Sequence, residues 1–415
     1  MLKVELTATG DELISGQITD TNSPWIADQL RIAGARVSRI HAVGDDAHAL
    51  EDLLRDIASR ADLAVVTGGL GSTPDDVTLR AAARISGKQL IADPEAERSV
   101  ARAPRDLTDS GLPDNRVRQT LVPENSLVLA NPLGTAAGFG LSLEGCLILF
   151  LPGVPREMHQ MLTDSVLPLI RARFPDRLRP VLTQRMNIFG LTESGVSSRL
   201  EEFQRLFPAI GLGFRFLFPR IQLSLSADGT ETSEDELERA RQWVQKKLGR
   251  NVVSASDESM PQVLGRLLRE KGATLALAES CTGGLISRRI TGVAGSSDYF
   301  PLSAVTYSNR AKTELLGVSE ETLKRCGAVH EETAEEMARG MRRLAGSTYA
   351  VSTTGVAGPG GGAPDKPVGT VCIGLASAEG TTSRRVQWDS GERRANQSFF
   401  AECAMDLLRR RRLLD

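Results

Sequence analysis

Aromatic side chains are scarce: Phe, Tyr and Trp together make up 4% of the 415 residues. That leaves too little ring surface for a stacking platform on single-stranded nucleic acid. An excess of one charge sign is missing too. The 50 Lys and Arg are matched by 52 Asp and Glu, a formal net charge of −2, without the basic excess that nucleic acid or an anionic membrane would favour. No apolar run is long enough to span a bilayer, Cys146–Leu151 being far too short. The opening M-L-K-V-E-L-T-A-T-G-D-E has no signal-peptide core. The 5 cysteines, Cys146, Cys281, Cys326, Cys372 and Cys403, are scattered, odd in number and without metal-ligand spacing, which suits a reducing compartment and gives no zinc site. Histidine is rarer still: His41, His48, His159 and His330 are all there are. Only His330 lies in the last third, outside any glycine loop, which argues against a Ser-His-Asp triad there. These absences predict a cytoplasmic protein with no nucleic-acid and no membrane partner.

What remains is an ordinary globular composition, 41% apolar and 25% charged, on a chain long enough for two or three domains. The C-terminal third is organised around Thr274–Ile286, T-L-A-L-A-E-S-C-T-G-G-L-I. Thr274–Ala278 reads as a buried strand, and the residues after Gly283-Gly284 as the start of a helix. Such a turn sets hydroxyl side chains beside the unpaired N–H groups of a helix N-terminus, a place for an anion or an oxyanion. A tight βα turn needing glycine only for its backbone reads equally well. Strands are expected at Ser303–Tyr307, Tyr349–Thr353, Val368–Ala376 and Thr381–Trp388. The run Arg409–Arg412 reads as complementing the dipole of the closing helix.

The N-terminal part alternates strand and helix in the same way, predicting a parallel sheet with ligands at the strands' carboxyl ends. Ser23 and Pro24 read as N-cap and first residue of one helix. The loop T-G-G-L-G-S-T-P-D-D, Thr67–Asp76, carries glycines that let backbone N–H groups approach a phosphate. Asp75 and Asp76, with Glu12, suit a hard divalent ion; equally, the two aspartates suit the cap of the helix Val77–Ile85. Between the two parts lies a small α+β segment, with strands at Val181–Phe189 and Arg215–Ala227 and a capping box at Ser233/Glu236. Leu248–Ser259 reads as a linker.

With these pieces in order, the chain resembles the competence/damage-inducible protein A (CinA) family over nearly its whole length. In residues 1–172 the matching motifs are Gly10-Asp11-Glu12-Leu13, Asp20-Thr21-Asn22, Thr67–Gly71, Asp75-Asp76, Asn131-Pro132-x-Gly134-Thr135 and Leu151-Pro152-Gly153-x-Pro155. In residues 258–415 they are Ala278–Gly284, Gly295–Ser297, Val305–Asn309, Lys312, Thr354–Pro359 and Lys366–Val371. The resemblance implies an α/β architecture: a three-layer molybdopterin-binding-like domain (1–172), a small α+β middle domain (173–252) and an α/β nicotinamide mononucleotide (NMN) deamidase domain (258–415). Two positions depart from the family pattern. Ser72 stands where proline is usual, and Gln397 where a second arginine follows Arg393.

The same resemblance implies a bifunctional enzyme and a homodimer. At the C-terminal site it assigns Ser280, Lys312, Tyr307 and Thr354 to catalysis, without a cofactor. Thr282, Gly283, Gly284, Ser308, Asn309, Gly355, Gly358 and Arg393 are assigned to binding NMN, the N–H groups at 282–284 as oxyanion donors. At the N-terminal site it implies hydrolysis of ADP-ribose with Mg, Mn or Co held by Asp75 and Asp76. Substrate there is assigned to Glu12, Asn22, Gly68, Gly69, Gly71, Thr73, Asn131, Gly134, Thr135 and Gly153. The alternatives are that only the N-terminal nucleotide or molybdopterin site works, or that the chain is a non-enzymatic competence or damage-response scaffold. A Ser–Lys pair needs no histidine but does need a neutral lysine. Bringing a lysine from about 10.4 to about 7–8 takes roughly 4 kcal/mol of desolvation or neighbouring positive charge.

Overall fold

Short apolar runs alternating with amphipathic helices build two larger sheets whose central strands are buried on both faces. Residues 2–73, 75–102, 118–179, 181–229, 232 and 234–413 are described in a computed structural model. Contacts divide it into two units, Met1–Leu182 with Ala227–Ser233, and Thr183–Ser226 with Glu234–Asp415. The boundary expected between 252 and 258 falls inside the second unit. The capping-box residue Ser233 lies outside the described residues.

In the first unit the strands are β1 (Lys3–Thr9), β2 (Arg36–Val43), β3 (Leu63–Thr67), β4 (Leu90–Ala92), β5 (Leu121–Pro123), β6 (Leu127–Leu129), β7 (Gly138–Leu143) and β8 (Cys146–Leu151). The main sheet has the order β2-β1-β3-β8-β7-β6, with β4 and β5 paired apart from it. Pairings from β2 to β8 are parallel, and those of β7 with β8 and β6 are antiparallel. The sheet is therefore mixed, not wholly parallel, because β6–β8 form a meander joined by short turns. Along β3 the side chains alternate faces. Leu63 and Val65 enter a core with Ile26, Leu30 and Met158; Ala64 and Val66 enter another with Leu50, Leu54 and Ala81. That makes three layers, each fully buried Val or Leu contributing about 1.5–3 kcal/mol. The helix expected to be capped by Ser23 begins at Asn22 instead. Asp20 Oδ1 accepts from Asn22 N and Ser23 N at 2.9 and 3.0 Å, a stronger, charged acceptor three residues earlier.

The strands β9 (Val181–Ile188), β10 (Ile210–Leu217), β11 (Arg220–Asp228) and β12 (Val252–Ser254), all but the first two residues of β9 and the last two of β11 in the second unit, form a sheet of order β10-β11-β9-β12. The single strand expected at Arg215–Ala227 is thus a hairpin, broken where Pro219 offers no N–H to the ladder. Nor is 248–259 a free linker: Val252 pairs with Ile188, and Ser259 caps the helix Met260–Glu270 in a capping box with Gln262. Arg409, expected to complement the dipole of the closing helix, is 1% exposed and donates to the carbonyls of Val252 and Arg250. A buried guanidinium needs such partners.

The larger sheet of this unit holds β13 (Leu275–Glu279), β14 (Leu302–Val305), β15 (Tyr349–Gly355), β16 (Thr370–Ser377) and β17 (Gly380–Gln387), ordered β14-β13-β15-β16-β17. β13 lies parallel between β14 and β15. Leu275 and Leu277 face a core with Leu264, Ile290 and Phe400; Ala276 and Ala278 face Met337 and Met341 of the helix Glu331–Ala345. The carboxyl ends of three parallel strands therefore meet where Ser280 follows β13.

Candidate functional site

Ser280 is fixed by its own backbone, its N–H donating to Thr353 O at 2.9 Å. After β14 the chain turns at Ser308, whose Oγ caps the helix Asn309–Leu316 by accepting from Ala311 N. Lys312 sits in the first turn of that helix and points back. Its Nζ lies 3.1 Å from Ser280 Oγ, 2.9 Å from Thr306 O and 3.3 Å from Tyr307 O. The residue is 1% exposed. Burial lowers its pKa, because the charged form has carbonyls but no carboxylate to replace water. A neutral amine at this point donates its two N–H groups to the two carbonyls and turns its lone pair to the serine hydroxyl. The neighbouring thiol has the opposite character: Cys281 lies in the core, and burial pushes it up to about 12.

The turn spends most of its own N–H groups. Gly283 N donates to Ser280 O and Gly284 N to Glu279 Oε2, which also accepts from Ile286 N. Glu279 Oε1 takes Ser287 N. The oxyanion donors expected at 282–284 therefore reduce to Thr282, the one of the three whose N–H has no internal partner among the described residues. Gly283 and Gly284 instead supply the left-handed backbone, φ 62° and 89°, that lets the carboxylate reach the helix start. Thr354, expected at the catalytic centre, donates its hydroxyl to Ala328 O at 2.6 Å and makes no hydrogen bond to the pair. Thr282 and Thr353 hydroxyls meet at 2.8 Å instead, since alternate residues of β15 face opposite sides. Tyr307 is 62% exposed, and its hydroxyl accepts from Arg393, whose other nitrogen donates to Gly358 O. Asn309 opens the lysine-bearing helix, and Gly355 closes β15 against Cys281 Sγ. Gln397 donates to Cys281 O at 2.9 Å.

In the first unit a cleft of about 510 Å³ gathers Glu12, Asn22, Gly68, Gly69, Gly71, Thr73, Asp75, Asp76, Thr135 and Gly153. Asn131 and Gly134 do not line it. Asn131 is buried and spends its amide on Ala136 O, Glu157, Leu133 N and Gly134 N, so it builds the loop and does not face substrate. Asp76 accepts from Gly71 N, Thr73 N and Thr73 Oγ1, each at 2.7 Å. It ties the loop together and does not cap the following helix, whose N-cap is Val77. Gly68 N is taken by Leu151 O. The N–H groups of Gly69 and Leu70 have no internal partner among the described residues, and Asn22 Oδ1 is buried without one. Asp11, Glu12, Asp45 and Asp75 come together here: Asp45 is raised chiefly by burial, with the other three charges adding to it. Asp45 Oδ2 is already taken by Asp11 N at 3.1 Å, so the hard oxygen donors this cleft offers a divalent cation are Glu12 and Asp75.

Residues 257–412 match the CinA C-terminal domain family, and residues 5–172 match the family described as a probable molybdopterin binding domain. A CinA-like protein of Desulforapulum autotrophicum is 44% identical over 421 residues, covering 100% of this chain and 99% of its own. The chain belongs to the CinA family. Another relative, the CinA-like protein of Geobacter metallireducens, is 44% identical over 418 residues, 99% of this chain and 100% of its own. Among solved structures, the competence/damage inducible protein CihA of Agrobacterium tumefaciens is 36% identical over 36% of this chain and 91% of its own, with a TM-score of 0.35. The protein CinA of Thermoplasma acidophilum is 30% identical over 40% of this chain and 98% of its own, with a TM-score of 0.37.

Three partners in this CinA chain escape a reading by motif. Glu279 lies within the glycine motif but reads as a strand-end residue. Thr306 contributes a carbonyl, which no side-chain pattern reports. Asp45 comes from a different βα turn, and only the parallel pairing of β1 with β2 brings it to Asp11.

Proposed function

We propose that this CinA-family chain hydrolyses the carboxamide of NMN to the carboxylate and ammonia, with Ser280 as nucleophile and Lys312 as base. The observation that carries this reading is the 3.1 Å contact from Lys312 Nζ to Ser280 Oγ, made by a lysine that burial biases toward its neutral form. In the first step Nζ takes the hydroxyl proton as Oγ bonds to the amide carbon. The tetrahedral oxyanion is met by the N–H of Thr282. Nζ then passes its proton to the departing nitrogen, the C–N bond breaks, ammonia leaves and an ester remains on Ser280. Water, deprotonated by Lys312, attacks that ester and releases the acid and the serine. A pyridinium ring in the site disfavours the ammonium form of Lys312 by like-charge repulsion. Arg393, beside Tyr307 and Gly358, supplies the cation for the substrate phosphate. Release of ammonia from NMN by the purified chain, lost in Ser280→Ala, tests the reading; an inactive wild-type protein removes it.

The acidic cleft supports a second activity, metal-dependent hydrolysis of ADP-ribose. The crowding of Asp45 by Asp11, Glu12 and Asp75 favours it. A divalent ion bound there supplies charge neutralisation for phosphate oxygens. The chain itself offers the N–H groups of Gly69 and Leu70 to a phosphate and Asn22 Oδ1 to a hydroxyl. Cleavage of ADP-ribose by the Ser280→Ala variant, stopped by a chelator, tests it apart from the deamidase.

A further inference from the structure

We propose that, contrary to the expectation of no zinc site drawn from cysteine spacing, Cys326, His330 and Glu332 form a binding site for a divalent transition-metal ion of the zinc type. They flank the turn between the helices Glu320–Cys326 and Glu331–Ala345, and one ligand atom from each lies within 4.8 Å of the other two. Cys326 Sγ stands 3.6 Å from Glu332 Oε2. A tetrahedral zinc, with Zn–S of about 2.3 Å and Zn–O of about 2.0 Å, separates its sulfur and oxygen ligands by about 3.5 Å. The pair therefore stands at the spacing the ion requires. A thiolate, an imidazole and a carboxylate together select a borderline ion over magnesium or calcium.

The surroundings suit a ligand set. Arg325 donates to the other Glu332 oxygen at 2.6 Å, which orients the carboxylate and leaves Oε2 to the ion. His330 Nδ1 accepts only a 3.2 Å bond from Glu332 N. Coordination through Nδ1 replaces that bond, and the N–H turns to water, as first-turn N–H groups can. Three successive carbonyls of the turn are each held by a side chain: Cys326 O by Lys366 Nζ at 2.7 Å, Gly327 O by Thr333 Oγ1 at 2.8 Å and Ala328 O by Thr354 Oγ1 at 2.6 Å. The ligands thus project from a backbone that is already fixed. Binding exchanges the thiol proton for the ion: the S–H bond breaks, a sulfur–metal bond forms, and the proton goes to solvent. Three protein ligands leave a fourth position for water.

The test is a titration of the full-length protein, stripped with a chelator, using cobalt(II) as the probe. The expected result is a thiolate-to-cobalt charge-transfer band with visible bands of a four-coordinate ion, bleached by added zinc. Cobalt held by the oxygen donors of the acidic cleft gives no thiolate band, so uptake there is distinguished. Cys326→Ser should abolish the band, and Glu332→Gln and His330→Ala should each weaken cobalt binding about tenfold or more, with unchanged far-ultraviolet circular dichroism. Absence of a thiolate band in the wild-type protein at saturating cobalt overturns the site. So does a band that survives Cys326→Ser, or unchanged affinity in both other variants.

Discussion

The two candidate sites of this CinA-family chain occupy equivalent places, beyond the carboxyl ends of parallel strands, yet burial acts on them in opposite senses. In the second unit it works on one cation. Lys312 is enclosed among carbonyls and a hydroxyl, and its pKa falls. In the first unit it works on clustered anions, and Asp45 rises. A lysine whose pKa is lowered by burial is brought nearer the form that takes up a proton. Carboxylates forced together call for a cation from outside. The same topology thus encloses a cation in one place and clustered anions in the other, and the sign of the enclosed charge sets the direction in which burial moves the pKa.

The sharpest way to break this contrast is at the nucleophile. Ser280→Ala should lower NMN turnover about a thousandfold or more with little change in KM, while Cys281→Ala keeps most activity. A dead Cys281→Ala beside an active Ser280→Ala would end the Ser–Lys mechanism. The lysine has its own signature in pH. Its folded pKa is depressed and the amine is the working form, so kcat/KM should climb with pH through a midpoint below the usual lysine value of about 10.4 and be lost as pH falls beneath it. A flat profile, or one that falls with rising pH, removes Lys312 as the base. Chelation addresses the other cleft: ADP-ribose cleavage should drop about a hundredfold or more and return with added metal, NMN hydrolysis staying unchanged. Cleavage indifferent to chelator would leave Asp75 without a metal role.

Smaller effects probe the supports. Glu279→Gln removes the charge that holds the start of the helix Leu285–Thr291, and denaturant unfolding should show a loss of about 3 kcal/mol. Gln397→Ala removes one neutral hydrogen bond to Cys281 O and should cost about 1 kcal/mol; a much larger loss would mean that Gln397 does more than hold this carbonyl.

Much of the framework is legible in the residues themselves. The short apolar runs at Leu63–Thr67 and Leu275–Glu279 are strands, and the glycine motifs after them are the turns that bear the candidate groups. A glycine motif does not say, however, where its N–H groups go. Gly68, Gly71, Gly283 and Gly284 each donate to an acceptor of the fold. Those acceptors are a neighbouring strand's carbonyl (Leu151 O), a carbonyl of the turn itself (Ser280 O) and side chains folding back (Asp76 and Glu279). Motif spacing also misses the hairpin at Pro219 and the incorporation of Val252–Ser254 into a sheet.

By itself the sequence determined the alternation, the strand-end hydroxyls and the scarcity of histidine, while lysine as a base came from the family resemblance. These are local properties, set by side-chain period and residue chemistry. Only the tertiary structure decided which groups are enclosed together. Lys312 is 32 residues from Ser280 along the chain and reaches it because β13 and β14 lie parallel and side by side. Its depressed pKa follows from that enclosure, since desolvation depends on what surrounds a charge and not on what precedes it in the chain.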